Sequence, residues 1–424
     1  MKILIVNSID KGGAANACLR LHAGLFQEGI DSKVLLREKQ KETLHTYTLK
    51  PQQKKVSKSQ KIVNKFIKIL RSYGILKKRP IPEKLSFLKN REKGLEFYSF
   101  PDSSFDITAS KLYRKADIIN FHWVADFLDF QSFFKKNTKP VVWTLHDMNP
   151  FTGGEHYKEE YLGIDNTGRP LKREVTKDEK IRSESNLELK KEALSKIKNM
   201  NIIAPSRWLA DEAKKSELFN AYPVHHIPYG LDSHTYKPLD QTFARRLLSI
   251  PENKKVILFV ADSIDNQRKG FIYLKRAFRQ LSDKKDLVLC AIGKTSETIS
   301  DDLDIINLGV IKDERLMSAA YNAADAFVIP SLMDNLPNTV IESLMCGTPV
   351  IGFPVGGIPE MIRDGENGFV AKEISVNALV ESLKTFLNTM DNFNRKNIRT
   401  KAVEKYDLKI QAGSYIKLFE SILK

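Results

Sequence analysis

Residues 330 to 370, PSLMDNLPNTVIESLMCGTPVIGFPVGGIPEMIRDGENGFV, constrain this chain more than any other stretch. Val340, Ile341, Leu344 and Met345 form an apolar face at helical spacing. Pro337 and Asn338 suit its first turn and cap, and Gly347 with Pro349 beyond suits its end. Pro349-Val-Ile-Gly-Phe then reads as a buried parallel strand, and Gly356-Gly357 as a turn into a helix opened by Pro359. Such Gly- and Pro-rich turns gather ligands at the carboxyl edge of a parallel sheet. Asp334 and Glu342 stand eight positions apart. If helix lies between them, they are separated by roughly 12 Å. Paired glycosidase carboxylates sit about 5 to 9.5 Å apart. The wider spacing suits two grips on one extended ligand, such as a nucleotide-sugar. The plain alternative is that the glycines only shape turns and Glu342 is a solvated helix residue.

A chain of 424 residues exceeds one ordinary core, and strand-like and helix-like segments alternate along it. The expected class is therefore α/β, with two domains. Cys18, Cys290 and Cys346 are scattered and show no CxxC spacing. They predict no disulfide framework and no thiolate zinc site. Met1-Lys2 runs straight into the strand ILIV, too short an apolar run for a secretory signal, and no run reaches the ~18 apolar residues of a membrane span. The expected location is the cytoplasm or the inner face of a membrane.

The net charge of +16 concentrates between Glu42 and Glu83, where no acid occurs. Within residues 50–79, Ile62, Phe66, Ile69 and Tyr73 recur at helical spacing among lysines and arginines. This predicts a basic amphipathic helix for an anionic lipid surface, or a solvated helix packed on its own domain. The apolar residues are too continuous for a phosphate-tracking stripe, and no zinc-finger or RNA-binding signature appears, so nucleic acid is not expected.

With Asp334, Glu342 and Gly347-Thr348-Pro349-Val350 in view, the chain resembles the retaining, nucleotide-sugar-dependent glycosyltransferases of family four, the group 1 glycosyltransferases. Their pattern is Glu, seven residues, Glu, then Gly-Thr-Pro-Val. Here Asp334 replaces the first Glu, keeping the charge and losing one methylene. The resemblance implies the GT-B fold, two Rossmann-like domains facing a cleft. It implies that Asp334 and the amides of Asn335 and Leu336 hold the donor sugar, with Asn338 beside them, while Glu342 holds the ribose hydroxyls. It also puts the nucleotide base near Leu308-Gly309-Val310, contacted mostly by backbone.

The family's Gly-Arg element after the first strand of the donor domain is replaced by Ala261-Asp262, but Lys269-Gly270 matches its Lys-Gly. Lys269 is thus expected on the donor diphosphate, with Arg268 supplying the missing cation. Two cations there stabilise a departing phosphate as a metal does elsewhere, and neither cofactor nor metal is expected. Asp302-Leu303-Asp304 has the Asp-x-Asp spacing of metal-dependent transferases, but it precedes its strand and reads as an acidic loop.

The first half opens as strand, turn and helix around Gly12-Gly13 and lacks a full GxGxxG fingerprint. The resemblance places Gly12 and Gly13 in the cleft. DIINFHW and PVVWTLHD read as parallel strands that place His122, His146 and Asp147 at their carboxyl ends, and Ser206 lies at another. Thr144-Leu-His-Asp147 and Pro150-Phe-Thr-Gly-Gly-Glu-His-Tyr157 match a subgroup of the family in which Cys stands where this chain has Glu155. By resemblance His146 contacts the transferring sugar and the loop shapes the acceptor pocket. Residues 155–195 read as a mobile polar loop entering a helix, either an acceptor-side lid or an ordinary surface insertion.

The expected organisation is 1–234 as the acceptor-side domain, 235–404 as the donor domain, and 405–424 packing back on the first. The expected function is metal-independent sugar transfer, with retention, from a nucleotide-sugar to a hydroxyl acceptor, lipid-linked or a polysaccharide intermediate. Retention rests on the resemblance alone. The rivals are a phosphorylase or epimerase on the same fold, and a degenerate nucleotide-sugar-binding or membrane-scaffold protein.

Overall fold

The computed structural model describes residues 1–52, 83–281, 285–296 and 303–424. Most of the basic stretch 50–79, and Asp302 of the acidic loop, fall outside the described residues.

The first sheet holds β1 (Lys2–Ile9), β2 (Asp31–Glu38), β3 (Thr46–Thr48), β4 (Ile118–Phe121), β5 (Val141–Thr144), β8 (Met200–Ala204) and β9 (Val224–His226), in the order β3-β2-β1-β4-β5-β8-β9. The second holds β10 (Lys255–Ser263), β11 (Leu287–Lys294), β12 (Ile305–Gly309), β13 (Ala326–Ile329), β14 (Val350–Gly352) and β15 (Gly368–Val370), in the order β12-β11-β10-β13-β14-β15. Neighbouring strands in both sheets run parallel. The architecture is the expected pair of Rossmann-like α/β sheets.

Parallel strands covered on both faces read as continuous apolar runs. Leu4 and Val6 of β1 enter one core cluster, and Ile3 and Ile5 enter another. Val256 and Leu258 of β10 likewise face away from Ile257 and Phe259. The helix Leu408–Leu423 returns to the first sheet, where Tyr415 and Phe419 join Ile3, Ile5 and Leu21 of the helix Gly13–Gln27. The returning chain passes beside the outgoing one: Leu231 N–H donates to Tyr406 O at 2.8 Å, and Leu408 N–H donates to Leu231 O at 3.1 Å.

Two local expectations change. The stretch 155–195 is a β-hairpin, β6 (Tyr161–Ile164) with β7 (Pro170–Lys172), followed by the helix Lys177–Leu194. Thr176 and Glu179 close a capping box at that helix's start. The hairpin is docked on the second domain. Tyr161 and Ile164 pack against its core, Val376 N–H donates to Gly168 O at 3.0 Å, and Arg169 pairs with Glu373. Apolar residues sparse in sequence were enough once a second surface met them. After Gly356-Gly357 there is only a single helical turn, Ile358–Glu360, because the chain continues at once to β15.

Candidate active site

Parallel strands point their carboxyl ends the same way, so residues just beyond them share an edge. In the first sheet these are Gly12 and Gly13 after β1, His122 and Trp123 after β4, His146 and Asp147 after β5, and Ser206 after β8. In the second they are Arg268 and Lys269 after β10, Gly309 and Val310 at the end of β12, and Asp334 to Glu342 after β13. The two edges meet. Ser206 Oγ donates to Asn335 Oδ1 at 2.6 Å, Asn335 Nδ2 to His146 O at 3.2 Å, and Asn338 Nδ2 to Gly13 O at 3.1 Å.

Gly356 explains how the Asp334 loop sits so close to its neighbour. Its φ is +54°, and an added Cβ would collide with the carbonyl oxygen of Asp334. Gly270 plays the same part at the other loop, with φ +72° and its Cβ position blocked by Pro330 O. Gly270 lets the cation loop touch the segment that leads to Asp334, and Gly356 lets the loop after β14 close on Asp334 itself.

There Lys269 Nζ donates to Asp334 Oδ2 at 2.7 Å, and Arg268 Nη1 lies 3.6 Å from the same oxygen. Burial opposes ionisation of Asp334, yet Lys269 and then Arg268 hold its carboxyl below the usual range. Burial, then Arg268, pull Lys269 below its ordinary value, against the attraction of Asp334. Arg268 also spans the domains: its Nε donates to Glu96 Oε1 at 2.6 Å, and its guanidinium lies over the Tyr157 ring. These cations already hold carboxylates, the charge type they would meet in a phosphate.

Glu342 is buried in the helix Asn338–Met345 rather than solvated. Arg20 Nη2, from the helix Gly13–Gln27, donates to its Oε1 at 2.9 Å, and Tyr321 OH donates to its Oε2 at 3.0 Å. Arg20 also reaches Glu314, at the start of the helix Glu314–Ala323. That helix begins five residues after Gly309, so the β12 end lies along the same side of the site. Val310 is half exposed there, while the Leu336 side chain is buried in the second core and leaves only its backbone for a ligand.

His122 and His146 lie in one relay. Tyr415 OH meets Thr144 Oγ1 at 3.0 Å, Thr144 Oγ1 donates to Asn120 Oδ1, and Asn120 Nδ2 approaches His122 Nε2 at 3.2 Å. His122 Nδ1 and His146 Nε2 are 2.9 Å apart, and His146 Nδ1 is 2.7 Å from Tyr229 OH. Burial lowers the pKa of both rings, that of His146 to about 4. With both neutral, each carries its proton on Nδ1 and accepts at Nε2. A sugar hydroxyl would bind His146 by replacing one of these partners.

Asp147 turns away from His146 toward a second chain. His156 Nδ1 lies 2.6 Å from its Oδ2, Ser99 Oγ lies 2.8 Å from His156 Nε2, and Trp123 Nε1 donates to Oδ2 at 3.0 Å. Burial opposes its charge, but His156 holds it below the usual range. The order hydroxyl, imidazole, carboxylate resembles a nucleophilic triad. Ser99 is buried, however, so the chain anchors Trp123.

Glu155, where the subgroup has Cys, belongs to a buried ion cluster. Arg173 donates to Glu155 at 2.6 Å, to Glu179 at 2.7 Å and lies 3.0 Å from Glu160, while Arg91 lies 3.1 Å from Glu155. Lys190 Nζ secures the same loop by donating to Asn149 O and Thr152 O. Sequence reasoning missed Arg20, Glu96 and Tyr321. Arg20 and Glu96 sit in segments whose pattern gives no sign that another domain lies opposite, and Tyr321 reads as an ordinary core aromatic of its helix.

The two facing Rossmann-like domains are the GT-B fold, and known proteins agree. Residues 254–389 match the family described as glycosyl transferases group 1. A D-inositol 3-phosphate glycosyltransferase of Geodermatophilus obscurus is 30% identical over 163 residues, 34% of this chain and 36% of that protein. Across eight such curated relatives, this chain spans 36% to 54% of their length. Among solved structures, the sucrose-phosphate synthase of Thermosynechococcus elongatus superposes with TM-score 0.67 at 17% identity, covering 100% of this chain and 99% of that one. Anabaena HepE, in complex with UDP-glucose, does so with TM-score 0.64 at 16% identity, covering 99% and 100%.

Proposed function

We propose that this protein is a glycosyltransferase that moves a sugar from a nucleotide-sugar to a hydroxyl acceptor. The observation that carries the reading is the Arg268-Lys269 pair, facing Asp334 at the line where the two sheet edges meet. Charge develops on a departing diphosphate in the transition state, and two fixed cations in a desolvated cleft stabilise it there. Glu342 grips the ribose, exchanging part of its contact with Arg20 for hydroxyls. Asp334, the amides of Asn335 and Leu336, and His146 orient the sugar. Asn338 and Ser206 keep the loops in register, Gly12 and Gly13 line the acceptor side, and Gly309 and Val310 border the base. The closed cleft keeps out water that would hydrolyse the donor.

Retention and a metal-independent reaction belong to this proposal by resemblance to the family. So does the domain division at 234 and 235, with 405–424 on the first domain. A lipid-linked or polysaccharide acceptor on the inner face of a membrane is the finer form, resting on the basic sequence 50–79. Among the described residues no helix is long and apolar enough to cross a membrane. A second reading, donor binding without turnover, draws on the shorter Asp334 and on the occupation of Arg268 by Glu96.

The test is a thermal-shift screen of nucleotide-sugars, followed by release of nucleoside diphosphate with and without candidate acceptors. Stabilisation with acceptor-dependent release is expected. Stabilisation without release supports the second reading, and no stabilisation by any nucleotide-sugar overturns both.

A further inference from the structure

We propose that Phe97 and Trp123 form an aromatic platform that binds the apolar face of a saccharide ring, making the acceptor a sugar held beside the leaving diphosphate. The proposal rests on the donor-site reading above and adds the chemical class of the acceptor.

Phe97 is 73% exposed, and its ring meets the partly open indole of Trp123 edge to face at 6.5 Å. One exposed phenylalanine alone means little. The surroundings of this pair are what distinguish it. Phe97 follows Glu96, which Arg268 binds across the cleft. Trp123 follows His122, the direct partner of His146. The link in space runs through Asp147, which binds the Trp123 indole and, together with Glu96 and Asp334, acts on Tyr157, the ring that the Arg268 guanidinium covers.

The indole is also fixed. Its Nε1–H donates to buried Asp147, its backbone N–H donates to Asn7 Oδ1 at 2.8 Å, and its ring lies 5.7 Å from that of His156. A rigid aromatic ring offers contact area with little ordering entropy left to lose. This gives the Ser99–His156–Asp147 chain a purpose that does not need an exposed nucleophile.

A pyranose ring carries C–H groups on one face and hydroxyls around its edge. The C–H face suits the negative π-face of an aromatic ring, and the hydroxyls need polar partners at the rim. Glu96, the chain neighbour of Phe97, and Arg268, which binds that carboxylate, are the groups this proposal assigns to them. An acyl chain would want a continuous apolar groove, whereas the contact here is between two rings.

The experiment measures saccharide binding to the intact protein by saturation-transfer NMR and titration. The probes are the methyl glycosides of glucose, galactose and N-acetylglucosamine, with octyl glucoside and phosphatidylglycerol vesicles as the lipid arm. Each is tested with and without whichever of UDP, GDP or ADP stabilises the protein most. At least one methyl glycoside is expected to bind, with transfer strongest to its ring C–H protons. Phe97→Ala, at an exposed position, should weaken it roughly tenfold, about 1.4 kcal/mol. Trp123→Phe should weaken it less while leaving nucleotide stabilisation unchanged. The proposal fails if no methyl glycoside binds the unaltered protein, if Phe97→Ala binds it equally well, or if only the octyl glycoside or vesicles bind. Failure of all three nucleotides to stabilise the protein sinks the donor-site reading instead, and leaves the saccharide result to be judged separately.

Discussion

Two clusters in this molecule use the same chemistry for different ends. At the cleft, Arg268 and Lys269 of the second domain meet Asp334 of that domain and Glu96 of the first. Behind the hairpin, Arg91 and Arg173 meet Glu155, Glu160 and Glu179, all from the first domain. The second cluster closes on itself and ties the loop 147–156 to the helix Lys177–Leu194. The first includes one pair, Arg268 with Glu96, that joins the two domains. The two clusters thus differ in that one pair, and in the proposed function it is this cluster that exchanges its carboxylates for a donor phosphate.

The sharpest way to break the comparison is to remove one cation from each cluster. Arg173→Met leaves three buried carboxylates with one guanidinium. Losing one member of a buried pair costs about 3–5 kcal/mol, so the first domain should unfold at markedly lower denaturant. A melt unchanged within error would mean that the cluster is no staple. Lys269→Met leaves Arg268 beside Asp334, so it should lower the melt less than Arg173→Met while cutting turnover of the stabilising nucleotide-sugar by about 10²–10³. Turnover that survives this change would move the diphosphate elsewhere.

A smaller effect sharpens the contrast through pH. Burial, then repulsion from Glu155, raises the Glu160 carboxyl to about 7. A carboxyl raised on folding favours the native state at low pH, and that contribution is lost as pH climbs from the unfolded value toward 7. The stability of the native chain relative to Glu160→Gln should therefore decline across that window. Parallel stability curves for the two proteins would contradict it. The opposite sign applies at Asp334, whose lowered value favours folding above the usual carboxylate range.

The sequence was most legible where one local signal sufficed. Gly347-Thr348-Pro349-Val350, the apolar strands and the strand-end histidines lie in short windows whose pattern follows from pleat, helix period and turn chemistry. Residues 155–195 were harder, because the hairpin's few apolar side chains gain a purpose only against the second domain's core. Arg20 and Glu96 were illegible for the same reason. Each reads as an ordinary surface charge until another domain lies opposite.

By itself, then, the sequence determined two α/β sheets and which loops end at their carboxyl edges, since backbone geometry and apolar alternation act over a few residues. Only the tertiary structure decided which charge faces which across the cleft, that Glu342 is buried against Arg20, and that Phe97 and Trp123 share a surface. Those pairings join residues far apart in the chain, and no local rule of propensity or periodicity reaches that far.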